Sequence, residues 1–128
     1  MKRILVVDDQ AMIRQLLEIS LRAADRQIVL AESGEQALAL VEEQPFHLVI
    51  MDIMMPGGMD GFETVACMRG APRLCRCPVL ILTAKDQRAE RDRADALGVE
   101  GYLVKPFRLQ DLQAQVEKLM DMPTALPF

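Results

Sequence analysis

The sequence predicts an α/β fold of (βα)5 type, a five-stranded parallel sheet with helices on both faces. Short apolar blocks recur along the chain without alternating apolar and polar residues, so both faces of each strand are expected to be covered. Amphipathic helical stretches separate the blocks, and right-handed crossovers then place helices on both sides of the sheet. The length of 128 residues with 51% hydrophobic content suits one packed domain.

The strand blocks are Ile4-Leu5-Val6-Val7, Ile28-Val29-Leu30-Ala31, Leu48-Val49-Ile50-Met51, Val79-Leu80-Ile81-Leu82 and the weaker Tyr102-Leu103-Val104. The first helix is predicted near Ala11 to Ala24, with Ile13, Leu16, Leu17 and Leu21 on its inner face. The second starts at Ser33, a capping side chain, with Gln36 as a capping-box partner, and ends before Pro45. It carries Ala37, Leu38 and Val41 inward. The third follows Gly61 and carries Phe62, Val65, Ala66 and Met68. The fourth begins at Asp86 as N-cap and stops at Gly98. It holds few large apolar residues and is expected to be the least anchored helix. The fifth presents Leu109, Leu112, Val116, Leu119 and Met120 at three- and four-residue steps. Residues 1–121 form one domain in this reading, and 122–128, with Pro123 and Pro127, form a tail or a truncated linker.

Nineteen acidic against 15 basic residues give a net charge of −4, which argues against direct nucleic-acid binding or an anionic membrane surface. The apolar run after Met1-Lys2-Arg3 stops at Asp8, short of the roughly 7–15 residues of a secretory core. A cytoplasmic location is expected. The 3 Cys are sparse and odd in number. Cys75 and Cys77 offer two soft ligands without a second pair to complete a zinc site, so reduced thiols are expected. His47 reads as a surface residue opening the third strand.

In open α/β sheets functional groups gather at the carboxyl ends of the strands. The residues just past the blocks are Asp8 and Asp9, Asp52, Thr83, and Lys105 with Pro106. Taken singly, each fits a turn acid, a strand-end hydroxyl or a solvated lysine. Together, on neighbouring strands, three carboxylates would crowd one rim, which a divalent cation relieves. Hard oxygen donors in this number suit Mg2+. Thr83 and Lys105 suit phosphate oxygens, one by hydrogen bond and one by charge. No phosphate-cradling Gly-rich loop is present, so a nucleotide is not the obvious ligand. A carboxylate nucleophile that forms an aspartyl phosphate is the natural reading.

On these residues the chain resembles the receiver (CheY-like) domain of bacterial two-component response regulators. The resemblance spans roughly residues 2–120 and rests on Val7-Asp8-Asp9, Met51-Asp52-Ile53-Met54-Met55-Pro56, Met59-Asp60-Gly61, Leu82-Thr83-Ala84 and Tyr102-Leu103-Val104-Lys105-Pro106-Phe107. It implies a flavodoxin-like sheet of order 2-1-3-4-5. It implies that Asp52 is the phospho-acceptor and one of the metal-binding carboxylates, that Asp9 ligates Mg2+ directly, and that Asp8 acts mainly through a bound water. The backbone carbonyl of Met54 would be a further metal ligand. Thr83 would move inward to the phosphoryl group, Tyr102 would follow, and Lys105, preceding a cis proline bond, would pair with a phosphoryl oxygen.

The donor implied is a phosphohistidine on a sensor histidine kinase or phosphotransfer protein. The output is a shift of the face formed by the fourth helix, fifth strand and fifth helix, read by an output domain or a partner protein. Such a chain promotes its own phosphorylation without a turnover substrate, so it is not an enzyme in the usual sense. The same face is also a homodimer option, although Gln115 stands where the winged-helix DNA-binding subfamily usually has an arginine. Two residues, Gly57 and Gly58, separate Pro56 from Met59-Asp60-Gly61, where the family usually has one. Neither Met54 nor Lys85 is suited to orient an attacking water, so a long-lived aspartyl phosphate is expected. Met54 also stands where haloacid dehalogenase-type phosphohydrolases carry a second Asp, which argues against that class. A phosphorylation-independent interaction module is the remaining alternative, and the retention of the acidic, Thr and Lys positions weighs against it.

Overall fold

The computed structural model describes residues 2–71, 77–84 and 87–121. Strands and helices alternate as β1 (Lys2–Val7), α1 (Ala11–Leu21), β2 (Arg26–Ala31), α2 (Gly34–Glu43), β3 (Leu48–Asp52), α3 (Gly61–Gly70), β4 (Val79–Thr83), α4 (Arg88–Ala96), β5 (Gly101–Val104) and α5 (Leu109–Met120). The strands form one parallel sheet of order β2-β1-β3-β4-β5.

Successive strand residues point to opposite faces, and this divides the core in two. Ile4, Val6, Leu48, Ile50, Leu80 and Leu82 pack beneath α1 and α5, against Leu17, Leu21, Leu112, Val116 and Leu119. Leu5, Val7, Val49, Met51, Val79 and Ile81 pack on the other side, against Ala37 and Val41 of α2, Phe62, Val65 and Met68 of α3, and Ala94 of α4. All five residues of both β3 and β4 are buried, which explains their unbroken apolar character up to the final Asp52 and Thr83.

Several helix details differ from the sequence expectation. Helix α1 stops at Leu21 rather than Ala24, and Leu16 is exposed, since Leu17 and Leu21 suffice to meet the sheet. On α3, Ala66 faces solvent, and the buried polar Thr64 takes the inner position against Gly34 of α2. Leu109 is likewise exposed at the start of α5. Ser33 does cap α2, accepting from the Gln36 amide at 3.1 Å, but the Gln36 side chain accepts from Glu32 instead of closing a box. A complete capping box sits on α3, where Asp60 and Glu63 serve each other's backbone amides.

Helix α4 begins at Arg88 with Gln87 as N-cap, and Asp86 lies outside the described residues. Its C-terminus closes at Gly98 as expected, with Gly98 N–H donating to Asp95 O and Val99 N–H to Ala94 O. Cys67 is free and exposed, whereas Cys77 is disulfide-bonded, which corrects the expectation of reduced thiols; Cys75 lies outside the described residues, as do Lys85 and 122–128. His47 opens β3, and its Nδ1 accepts from the Arg3 amide at 3.0 Å. Among the described residues, no helix is long and apolar enough to cross a membrane.

Candidate functional site

Strand register brings the strand-end residues together. Val7 pairs with Met51, Asp52 with Leu82, and Thr83 with Val104. Asp8 and Lys105, one step beyond their strands, therefore stand beside Asp52 and Thr83 on one carboxyl edge. The same alternation sorts them by face. Asp8, Asp52 and Lys105 continue the rows that face α1 and α5, whereas Thr83 and Tyr102 continue the rows that face α3 and α4.

Asp8 and Asp52 are nearly inaccessible, at 0% and 3% exposure, while Asp9 is exposed. One carboxylate oxygen from each of Asp8, Asp9 and Asp52 lies within 4.8 Å of the others. Lys105 Nζ reaches Asp52 Oδ1 at 3.2 Å and Asp8 Oδ2 at 3.5 Å. The Lys105–Pro106 peptide bond is cis. The turn after β1 is fixed from both sides, since Gln10 N–H donates to Asp8 Oδ1 at 2.9 Å and Arg14 donates to the Asp8 carbonyl at 2.7 Å. Behind Asp52 the chain is packed backbone to backbone. A Cβ on Gly61 would lie 2.8 Å from Ile53 Cα, so only glycine lets α3 start this close to the end of β3.

Burial holds the Asp52 carboxyl up at about 6; the neighbouring Asp8 charge adds to the rise, and Lys105 and the Met54 amide oppose it. The Asp8 carboxyl is also raised, chiefly by burial. Both shifts come first from burial and then from neighbouring carboxylates, with the Lys105 ammonium offsetting part of the rise. A pocket of about 360 Å³ opens over them, lined by Asp9, Gln10, Asp52, Met54, Pro56, Ala84 and Lys105. The donor set is all oxygen with an excess of negative charge, which fits a hard divalent cation such as Mg2+.

Thr83 is fully buried at the same edge, and its hydroxyl donates to Glu90 Oε2 of α4 at 3.5 Å. Tyr102 is half-buried, with the Arg91 guanidinium 4.8 Å from its ring centroid. Of the residues expected at the site, Asp8, Asp9, Asp52 and Lys105 thus come together directly. Met54 joins them at the pocket rim, Thr83 borders them from the opposite face, and Tyr102 lies on the β5 edge beyond. Sequence reading missed Arg14, Glu90 and Arg91. Their common signal was polarity at a helix start facing a strand end, which composition alone does not separate from a solvated surface.

The response regulator receiver domain model matches residues 4–117. The chain belongs to the response regulator receiver domain family. A probable chemotaxis protein CheY from Rhizobium etli is 40% identical over 116 residues, covering 90% of this chain and 89% of the relative. The transcriptional regulatory protein ResD of Bacillus subtilis is 37% identical over 118 residues, covering 92% of this chain but 48% of that protein. The chain thus spans nearly the whole of the CheY relative and about half the length of the transcriptional regulator. The solved structure of chemotaxis protein CheY4 from Vibrio cholerae superposes with a TM-score of 0.85 at 33% identity, covering 93% of this chain and 98% of that one. Receiver domains of this family are two-component signalling modules that accept a phosphoryl group and typically bind Mg2+ at an acidic pocket.

Proposed function

We propose that Asp52 of this chain accepts a phosphoryl group from a phosphohistidine in a Mg2+-dependent step, and that the modification switches the α4-β5-α5 face. The observation that carries this reading is the Lys105 ammonium 3.2 Å from a buried Asp52, inside a cluster of three carboxylates. In the step, an Asp52 carboxylate oxygen forms a bond to phosphorus while the donor's P–N bond breaks, and the leaving imidazole takes up a proton. Asp8, Asp9 and Asp52, with the Met54 carbonyl, would hold the metal, Asp9 directly and Asp8 mainly through water. A bound Mg2+ supplies charge neutralisation between carboxylate and phosphoryl oxygens, where catalysis is mostly positioning and electrostatics.

Lys105 holds one phosphoryl oxygen from the opposite side. Thr83 turns from Glu90 toward the phosphoryl group, and Tyr102 follows, which alters the packing of α4 on the sheet. The receiver unit is read as residues 1–121. The phosphoryl group is consumed by no turnover substrate, so the chain acts as a cytoplasmic switch upstream of an output domain or a partner protein. Met12, Leu16 and Ile19, one helical stripe on α1, are 82%, 43% and 67% exposed. That stripe starts three residues past Asp9 and supports a protein donor docked beside the pocket.

Incubation with Mg2+ and a small acyl phosphate, read by intact mass beside Asp52→Ala, tests the reading. A gain of one phosphoryl unit in the wild type that is lost in the variant is expected. An unmodified wild type would instead favour the phosphorylation-independent interaction module.

A further inference from the structure

We propose that Glu35 is a positioning residue whose carboxylate pins the lengthened loop between β3 and α3 and thereby sets the Pro56 wall of the pocket, an inference that rests on the phosphoryl-accepting role of Asp52. The loop is anchored at both ends. Ile53 and Met55 are buried at its start. At its end, Gly61 N–H donates to Ile53 O at 3.1 Å, and the Asp60–Glu63 box starts α3. Residues 56–59 between these anchors include the extra glycine. Gly57 holds a φ of +89°, a left-handed conformation that favours glycine.

Across this stretch Glu35 Oε1, in the first turn of α2, accepts the Met59 N–H at 3.1 Å. A Cβ built on Gly58 would come within 2.9 Å of the same oxygen, so Gly58 lies directly against the carboxylate. The Met59 amide is also the largest influence lowering the Glu35 carboxyl below its ordinary value. Glu35 is exposed and outside the core, so packing does not require it. Pro56, three residues before Met59, lines the pocket together with Asp52 and Lys105. A loop one residue too long for its anchors would wander over that opening unless tied back, and the tie observed is to Glu35.

Purified chains saturated with Mg2+ and titrated with acetyl phosphate separate the half-saturating donor concentration from the maximal rate, and amide exchange reports the Met59 N–H. Glu35→Ala is expected to speed Met59 exchange about tenfold, the loss of one hydrogen bond. It is also expected to raise the half-saturating donor concentration several-fold with little change in maximal rate. Glu35→Gln keeps an acceptor oxygen and should restore both. Gly58→Ala should reproduce the Glu35→Ala defect by displacing the carboxylate. With Gly58 removed, Glu35→Ala should no longer matter for donor use. A role confined to the first turn of α2 would give the same loss of stability at both loop lengths and leave donor half-saturation unmoved, which would overturn the proposal. A wild type that takes up no phosphoryl group overturns the reading of Asp52 itself. Normal uptake with an indifferent Glu35→Ala overturns Glu35 alone.

Discussion

Asp52 is charged at neutral pH at a cost that the fold bears. Its carboxyl titrates at about 6 against an ordinary 3.8, chiefly because it is buried. A raised folded-state value means that stability is fully present below pH 3.8 and is lost as pH rises through about 6. The loss amounts to up to about 3 kcal/mol. Without divalent metal, Asp52→Asn should therefore be more stable than the wild type near neutral pH, and the gap should close in acid. Urea midpoints at the two pH values, with chelator present, measure it. Lys105 works in the opposite sense, since its ammonium lowers the Asp52 value. Lys105→Met should accordingly raise the Asp52 pKa further, seen in the carboxyl carbon shift during an NMR titration; an unmoved or lowered value would show that Lys105 does not neutralise the site. These acids were legible in the sequence because each follows an apolar block, and a parallel sheet carries every such position to one edge. The partners Arg14, Glu90 and Arg91 were not, because their contacts depend on helix rotation, which apolar periodicity fixes only for the buried face.

Among the elements, α3 and α4 differ most in how they are held. Helix α3 buries Phe62, Val65 and Met68 and starts with a closed capping box. Asp60→Ala removes the half of that box in which the Asp60 carboxylate accepts from the Glu63 amide, leaves the half donated by its own backbone N–H, and should cost about 1 kcal/mol, read from a thermal or urea melt. Helix α4 buries only Ala94 and has no side-chain cap at its start. Beyond Ala94, its ties include polar and cation–π contacts: Glu90 with Thr83 and Arg91 with Tyr102 on the sheet, and Arg93 with the Phe62 ring of α3 at 4.7 Å. Such contacts exchange for water at little net cost, unlike buried aliphatic surface. Amides of α4 should thus exchange with solvent well before those of α1 and α5, and native-state hydrogen exchange checks the order. The weak anchoring of α4 was visible in its composition. The exposure of Leu16, Ala66 and Leu109 was not, because a three- and four-residue spacing marks a stripe without fixing its width.

At the scale of the molecule, a cation held at the acidic pocket would couple metal, proton and global stability. A cation that binds the folded site and not the unfolded chain stabilises by mass action, by about 2.7 kcal/mol at a hundredfold excess over its dissociation constant. The same carboxylates bind protons, and the buried Asp52 takes one up as pH falls through about 6. Proton and metal would therefore compete for one oxygen set. Magnesium should raise the melting temperature clearly near neutral pH and progressively less as pH falls below 6, while the metal-free protein gains stability from Asp52 over that interval. The two trends oppose each other, so the curves with magnesium and with chelator should converge in acid. In Asp52→Asn the magnesium increment should shrink, because a neutral amide replaces a charged ligand, and its dependence on pH should flatten. Melting curves across pH, with magnesium or chelator, read all of this from one pair of proteins. A magnesium increment that stayed constant through pH 6, or was the same in the variant, would place the cation away from Asp52.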